Sequence, residues 1–332
     1  MRGQLVRAAL AVTARIRRYR TGFETGGAEP DEPSGPFRGA GWMAELVPED
    51  REFNHIVGGM EIVLHARSWP AAQRALDLIN GCRQLVNGNP DMFGAVHPIA
   101  HNDEEPEWMD DAERASLPEL LMSQSWLPTA CAIAAKGSRR CRWAYAIAKY
   151  KFSLELYSVH HMDMQPSYHI YHRVSAHPDD HVLFSHAILS AFGAIEDLGL
   201  NVPAGPGRPS RIGGAWNPTV LADLQARLRG HGIDPAEELL WTVRGPVRRI
   251  ERSRPLPPGT SPSWAGGPVR DRKVALVDAI AYGDYLRDWA AAHVVNPLTR
   301  SLSPYDVVNV QHVARFLLLA SLGFRVWLPR RP

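Results

Sequence analysis

Cysteine is scarce in this chain. Only Cys82, Cys131 and Cys141 occur among 332 residues, and no two of them form a CxxC pair. That excludes a disulfide framework and cysteine-based zinc motifs, and it points to a reducing, cytoplasmic setting. No run of 18 apolar residues is present, so an integral membrane span is not expected. Neither an HExxH zinc motif nor a Gly-x-Ser-x-Gly elbow occurs. The Gly pairs at 58–59, 213–214 and 266–267 lack the lysine and strand-helix context of a phosphate loop. Lysine is rare too, with four against 33 arginines, which reads as a composition bias of the genome. Net charge is only +2, so the chain as a whole is no general polyanion binder.

What is there suffices for two domains. Residues 1–40 read as a basic N-terminus and flexible linker. Leu5, Ala9, Val12 and Ile16 share one helical side near the start. Residues 21–38 are rich in Gly, Pro and acid. An α+β domain is expected over 41–178. Residues 60–65 form a short strand, and Ala72, Ala75, Leu76, Ile79, Cys82 and Leu85 recur at helical spacing up to the stop at 87–90. Residues 117–122 suit a short helix. Over 149–159, Tyr150, Phe152, Leu154 and Leu156 alternate with polar residues, which predicts a strand with one wet face.

From 179 to 326 the spacing predicts helices throughout, with 327–332 as a tail. The expected helices cover 182–200, 218–230, 234–251 with a kink at Gly245-Pro246, 274–295 and 303–323. Residues 253–268 are too rich in Pro and Gly to be helical. The fold expected is therefore an α+β N-terminal domain followed by an all-α helical bundle.

Within that second half, Arg287-Asp288-Trp289-Ala290-Ala291-Ala292-His293 brings basic, acidic and acid-base groups together. On an ideal helix six residues advance about 9 Å and turn about 600°, leaving Arg287 and His293 about 120° apart. A loosened helix end before Asn296-Pro297, or a second subunit, would be needed to bring them together. Their chemistry suits attack by a ribose 2′-hydroxyl on the adjacent phosphate without a metal. His293 would move the proton and Arg287 would stabilise the nonbridging oxygens. Asp288 would orient Arg287 or His293. The plain alternative is a solvated helix surface ending in a histidine that satisfies helix carbonyls.

Arg, a polar residue and then His after five intervening residues, late in a helical domain, resembles the hallmark of the HEPN superfamily. The likeness covers roughly residues 180–325. It implies a dimerising helical bundle acting on RNA, either as a metal-independent ribonuclease of toxin or antiphage systems or as a noncatalytic interaction module. A defence-system or antitoxin protein would be its protein partner. No cofactor or metal is implied. The helix bearing Gly193-Ala194-Ile195-Glu196-Asp197 is similar to those that supply a supporting acid in the family, which makes Glu196 a further site candidate.

The other conspicuous stretch, residues 159–186, includes His160, His161, His169, His172, His177, His181 and His186. Three or four of these would suffice for zinc or manganese, making a metal-dependent hydrolase a third reading. As a strand, residues 167–174 would point His169 and His172 to opposite faces, so ordinary junction histidines are the simpler account. Lys149, Lys151, Tyr157 and Arg173 would give an expected sheet a modest nucleic-acid surface.

Overall fold

Ile62, Val63 and Leu64 are three successive apolar residues with no exposed surface at all. Successive strand residues point to opposite faces, so a strand buried at every position is covered on both sides. In the computed structural model these residues lie in the middle of a five-stranded sheet. The structure describes residues 17–23, 34–48, 60–87, 99–101, 126–157, 178–244, 269–291, 302 and 304–324. The chain divides into two units. One comprises residues 1–77 and 95–115, the other residues 78–94 and 116–332.

The sheet of the first unit is built from β1 (Arg17–Phe23), β2 (Ser34–Gly39), β3 (Trp42–Pro48), β4 (Met60–Ala66) and β5 (Ile99–His101), in the order β2-β3-β4-β1-β5. All pairings are antiparallel; β1 meets β4 from Arg17↔Ala66 to Phe23↔Met60. Gly41, at φ +81°, closes the β2–β3 hairpin in a conformation that side chains resist. Strands thus occupy residues 17–23 and 34–39, within the stretch expected as a flexible terminus and linker. Gly35 and Pro36 lie within β2, at the register shift between Ser34 and Phe37, so Gly and Pro there do not exclude a strand. Helix α1 (Trp69–Asn87) follows β4, and its amides at Ala71 and Ala72 bond the Ser68 carbonyl. The division between the units falls inside α1.

In the second unit come α2 (Trp126–Gly137), α3 (Cys141–Leu156) and α4 (Pro178–Asp197). A two-residue hairpin follows, β6 (Arg211–Ile212) and β7 (Ala215–Trp216), and then α5 (Pro218–Gly230). Next are β8 (Glu238–Arg244), β9 (Val269–Ala275), α6 (Leu276–Tyr285), a π-helical turn over Leu286–Ala291, and α7 (Pro304–Ser321). No described helix is long and apolar enough to cross a membrane.

The all-α reading of this half is therefore corrected: residues 211–275 contain four strands, and β8 and β9 pair antiparallel from Glu238↔Ala275 to Arg244↔Val269. The reason is local. Asp234 does not cap a helix; its carboxylate accepts from the Ala236 amide at 2.9 Å in a turn. Beyond it, Leu239 and Trp241 are buried while Leu240 between them is only partly so, a period of two. Val274, the expected start of a helix, lies in β9, and the helix begins at Leu276.

The strand expected over 149–159 is also corrected, because α3 covers it to Leu156. Trp143, Ala146, Ile147, Tyr150, Ser153 and Leu154 are its buried residues, a period of three to four that starts before Lys149. The nucleic-acid surface imagined on that strand goes with it. Residues 117–122, 167–174 and 253–268 lie outside the described residues.

Helices α3, α4 and α7 interlock through side-chain bonds to backbone. Ser153 Oγ donates to the Ala187 carbonyl at 2.7 Å, and Ser190 Oγ to that of Lys149 at 3.0 Å. Gln311 on α7 donates to Ser153 Oγ at 3.0 Å and to the Tyr157 carbonyl at 2.6 Å, closing the C-terminal end of α3. Trp143 Nε1 donates to the Leu318 carbonyl at 3.1 Å. Gly137 leaves room for that indole; a Cβ there would lie 2.2 Å from Trp143. These bonds fix the register of α4, the helix that carries Glu196.

Candidate functional site around Arg287

Arg287 stands on the π-helical turn after α6, and three carboxylates surround it. Its Nη2 lies 3.3 Å from Glu196 Oε1 on α4 and 3.2 Å from Asp284 Oδ1, one turn back. Its Nε lies 3.1 Å from Asp288 Oδ1, an ion pair whose angle does not make a hydrogen bond. The guanidinium carbon sits 5.4 Å from the centre of the Phe192 ring, giving the cation an aromatic floor. None of the three ion pairs uses Nη1.

The local sequence explains this cluster. Glu196 and Phe192 are four residues apart, so α4 presents both on one side. Asp284 and Arg287, three apart, are neighbours along α6 and its continuation. A π-helical turn is wider than an α turn and recurs at functional sites. Gly283, just before it, lets the Phe192 ring pack closely; a Cβ there would come within 3.1 Å of the ring.

One cation among three carboxylates leaves an excess of negative charge when all are ionised. Asp284 is the most enclosed of the three. Burial pushes its carboxyl up to about 6; the Arg287 hydrogen bond opposes that rise, and Asp288 and Glu196 add to it. Nearby, Lys149 on α3 pairs with Asp197 at 2.8 Å, joining the end of α4 to α3.

The structure thus brings together Arg287, Asp288 and Glu196, candidates from the sequence. His293 lies outside the described residues, as do Asn296 and Pro297. Asp284 was missed by sequence reasoning, although its spacing of three from Arg287 was available as a signal. Among the histidines of the 159–186 stretch, His181 is buried and desolvation lowers its pKa, while His186 is exposed. His160, His161, His169, His172 and His177 lie outside the described residues. Among the described residues no group of three His, Cys, Asp or Glu is placed to hold a metal ion.

A second polar cluster docks the β6–β7 hairpin. Asp278 on α6 accepts from Arg211 Nη2 at 2.7 Å and from Trp216 Nε1 at 2.8 Å, with Arg211 over the Trp216 ring. Arg211 Nη1 also donates to the Gly214 carbonyl at 3.3 Å, so the cluster holds the hairpin turn as well.

Comparison with known proteins finds no matching family model, no similar curated protein and no similar solved structure.

Proposed function

We propose that this chain is a metal-independent endoribonuclease whose reacting groups are Arg287 and His293. The observation that carries the reading is the bracing of Arg287: Glu196 from α4 and Asp284 from α6 hold one guanidinium at a π-helical turn, six residues before a histidine. An arginine fixed from two helices has already lost the side-chain freedom that phosphate binding would otherwise cost. Its Nη1, which none of the closest ion-pair contacts uses, would be the edge offered to a nonbridging oxygen.

In the reaction, His293 takes the proton of a ribose 2′-hydroxyl, and the oxygen attacks the adjacent phosphorus. The bond from phosphorus to the 5′-oxygen breaks, and that oxygen takes a proton from solvent water while the proton held by His293 returns to solvent. The products are a 2′,3′-cyclic phosphate and a 5′-hydroxyl. Arg287 stabilises the charge gathering on the phosphoryl oxygens. Glu196 and Asp284 position Arg287 and touch no substrate, and Asp288 steers its Nε edge. Two copies of the chain, meeting as a homodimer, would supply two such Arg-His sets.

The acidic surround favours a second reading, a noncatalytic interaction module in which Arg287 is bound internally by carboxylates. Incubation of the full chain with mixed RNAs in EDTA separates the two. The nuclease reading expects cleavage that His293→Ala abolishes and Arg287→Ala severely weakens. Intact RNA with folded wild type, or cleavage unchanged in His293→Ala, overturns it.

A further inference from the structure

Among the described residues Arg287 makes one side-chain hydrogen bond, from Nη2 to Asp284 Oδ1 at 3.2 Å. Glu196 and Asp288 act on it by charge, at 3.3 Å and 3.1 Å. The three carboxylates differ in their access to water. The Asp284 side chain is 19% exposed, that of Glu196 37% and that of Asp288 58%. When another anion arrives, Glu196 and Asp288 can turn toward solvent. Asp284, enclosed in the last turn of α6, keeps its charge in place unless it takes up a proton. One positive charge then stands against three negative, and a phosphodiester would add a fourth.

We propose that a phosphodiester binds at Arg287 together with one proton, which Asp284 takes from solvent, so that mild acid opens the site and neutral pH closes it. The inference rests on the ribonuclease reading above and adds the regulation of that site. Protonation removes the enclosed negative charge and loosens the hold on Nη2. The guanidinium keeps its place, because the Phe192 ring 5.4 Å below its carbon attracts a cation while carrying no net charge of its own.

The charged groups acting on Asp284 are Arg287 and Asp288 on the π-helical turn and Glu196 on α4. On α3, Lys149 is matched by Asp197 at 2.8 Å and brings no net charge. Burial, with help from the two neighbouring carboxylates and against the pull of Arg287, already lifts the Asp284 carboxyl to about 6. A bound phosphodiester lifts it further, and by reciprocity acid then favours binding.

Two measurements on the full chain test this. The first needs no nucleic acid: the Asp284 carboxyl carbon, assigned by its loss in Asp284→Asn, should titrate in the NMR spectrum near pH 6. A midpoint in the ordinary carboxylate range overturns the inference and leaves the ribonuclease reading untouched. The second is binding of a 2′-O-methyl oligouridylate, which offers phosphodiesters but no attacking hydroxyl. It is made in the His293→Ala background, which removes the other proton acceptor proposed for the site. Affinity should rise at least about fivefold from pH 8 to 5.5, and adding Asp284→Asn should flatten the profile. Binding with no such rise, or a rise that survives Asp284→Asn, overturns the coupling alone. No binding at any pH, with Asp284 titrating near 6, overturns the ribonuclease reading and the coupling with it.

Discussion

Glu196 on α4 and Arg287 on the π-helical turn meet at 3.3 Å, although 90 residues and four strands lie between them in the chain. The contact ties the helix whose register Ser153, Ser190 and Gln311 fix to the turn that precedes His293. Both side chains are partly exposed, so the bond contributes little to stability. Its worth lies in orientation.

Glu196→Gln should therefore separate stability from activity. The unfolding free energy falls by less than about 1 kcal/mol, measured by urea titration. RNA cleavage falls by about 10- to 100-fold, because a displaced guanidinium misses the phosphoryl oxygens. A loss of several kcal/mol would make Glu196 a structural strut, and unchanged cleavage would remove it from the site.

Asp284 makes stability depend on pH in a definite direction. Its carboxyl is raised from 3.8 to about 6 in the folded chain, so between these values the native state holds more proton than the unfolded one. The contribution of Asp284 is fully present below about pH 4 and is lost as pH rises through about 6. Asp284→Asn removes that slope. Urea unfolding at a series of pH values from 4 to 8 should show wild-type stability falling relative to the Asn variant, then running parallel above about 7. A difference that grows in the opposite sense would contradict the assignment.

Gln311 ties α7 to the C-terminal end of α3 through bonds to Ser153 and Tyr157. Gln311→Ala leaves the Ser153 and Tyr157 carbonyls without this donor and should cost about 1–3 kcal/mol. Hydrogen exchange should then quicken first at the C-terminal end of α3. Equal quickening over every helix would show that the bond supports the unit as a whole rather than that helix end.

Much of this was legible in the sequence where one signal dominated. The residue run from Ala72 to Leu85 repeats at helical spacing over several turns, and Asn217-Pro218 carries its own cap, with Asn217 Oδ1 accepting from the Thr219 amide at 3.1 Å. The failures share a cause. Tyr150, Phe152, Leu154 and Leu156 alternate over a short window, but Phe152 is the exposed residue of that set and Tyr150 and Leu154 are core. Only the preceding Trp143 and Ile147 reveal the longer period. Residues 238–244 are held as a strand by their partner β9, more than twenty residues away, and no local pattern announces a pairing at that distance.

The site divides the same way. Asp288 adjoins Arg287, and Asp284 sits one turn before it, within reach of spacing arguments. Glu196 entered through a family resemblance, and its approach to Arg287 depends on how α4 packs, which composition does not encode. The excess of carboxylates around one arginine became visible only in three dimensions, and it is the feature that bears most on the proposed phosphate contact.

The most direct test is single-turnover cleavage in EDTA of an RNA oligonucleotide beside its twin carrying one 2′-deoxyribose at the scissile position. The account predicts that the all-ribose strand is cut to a 2′,3′-cyclic phosphate and a 5′-hydroxyl, while the twin stays whole at that bond. Cleavage of the deoxy-substituted bond, or an all-ribose strand left intact by folded protein, would contradict it.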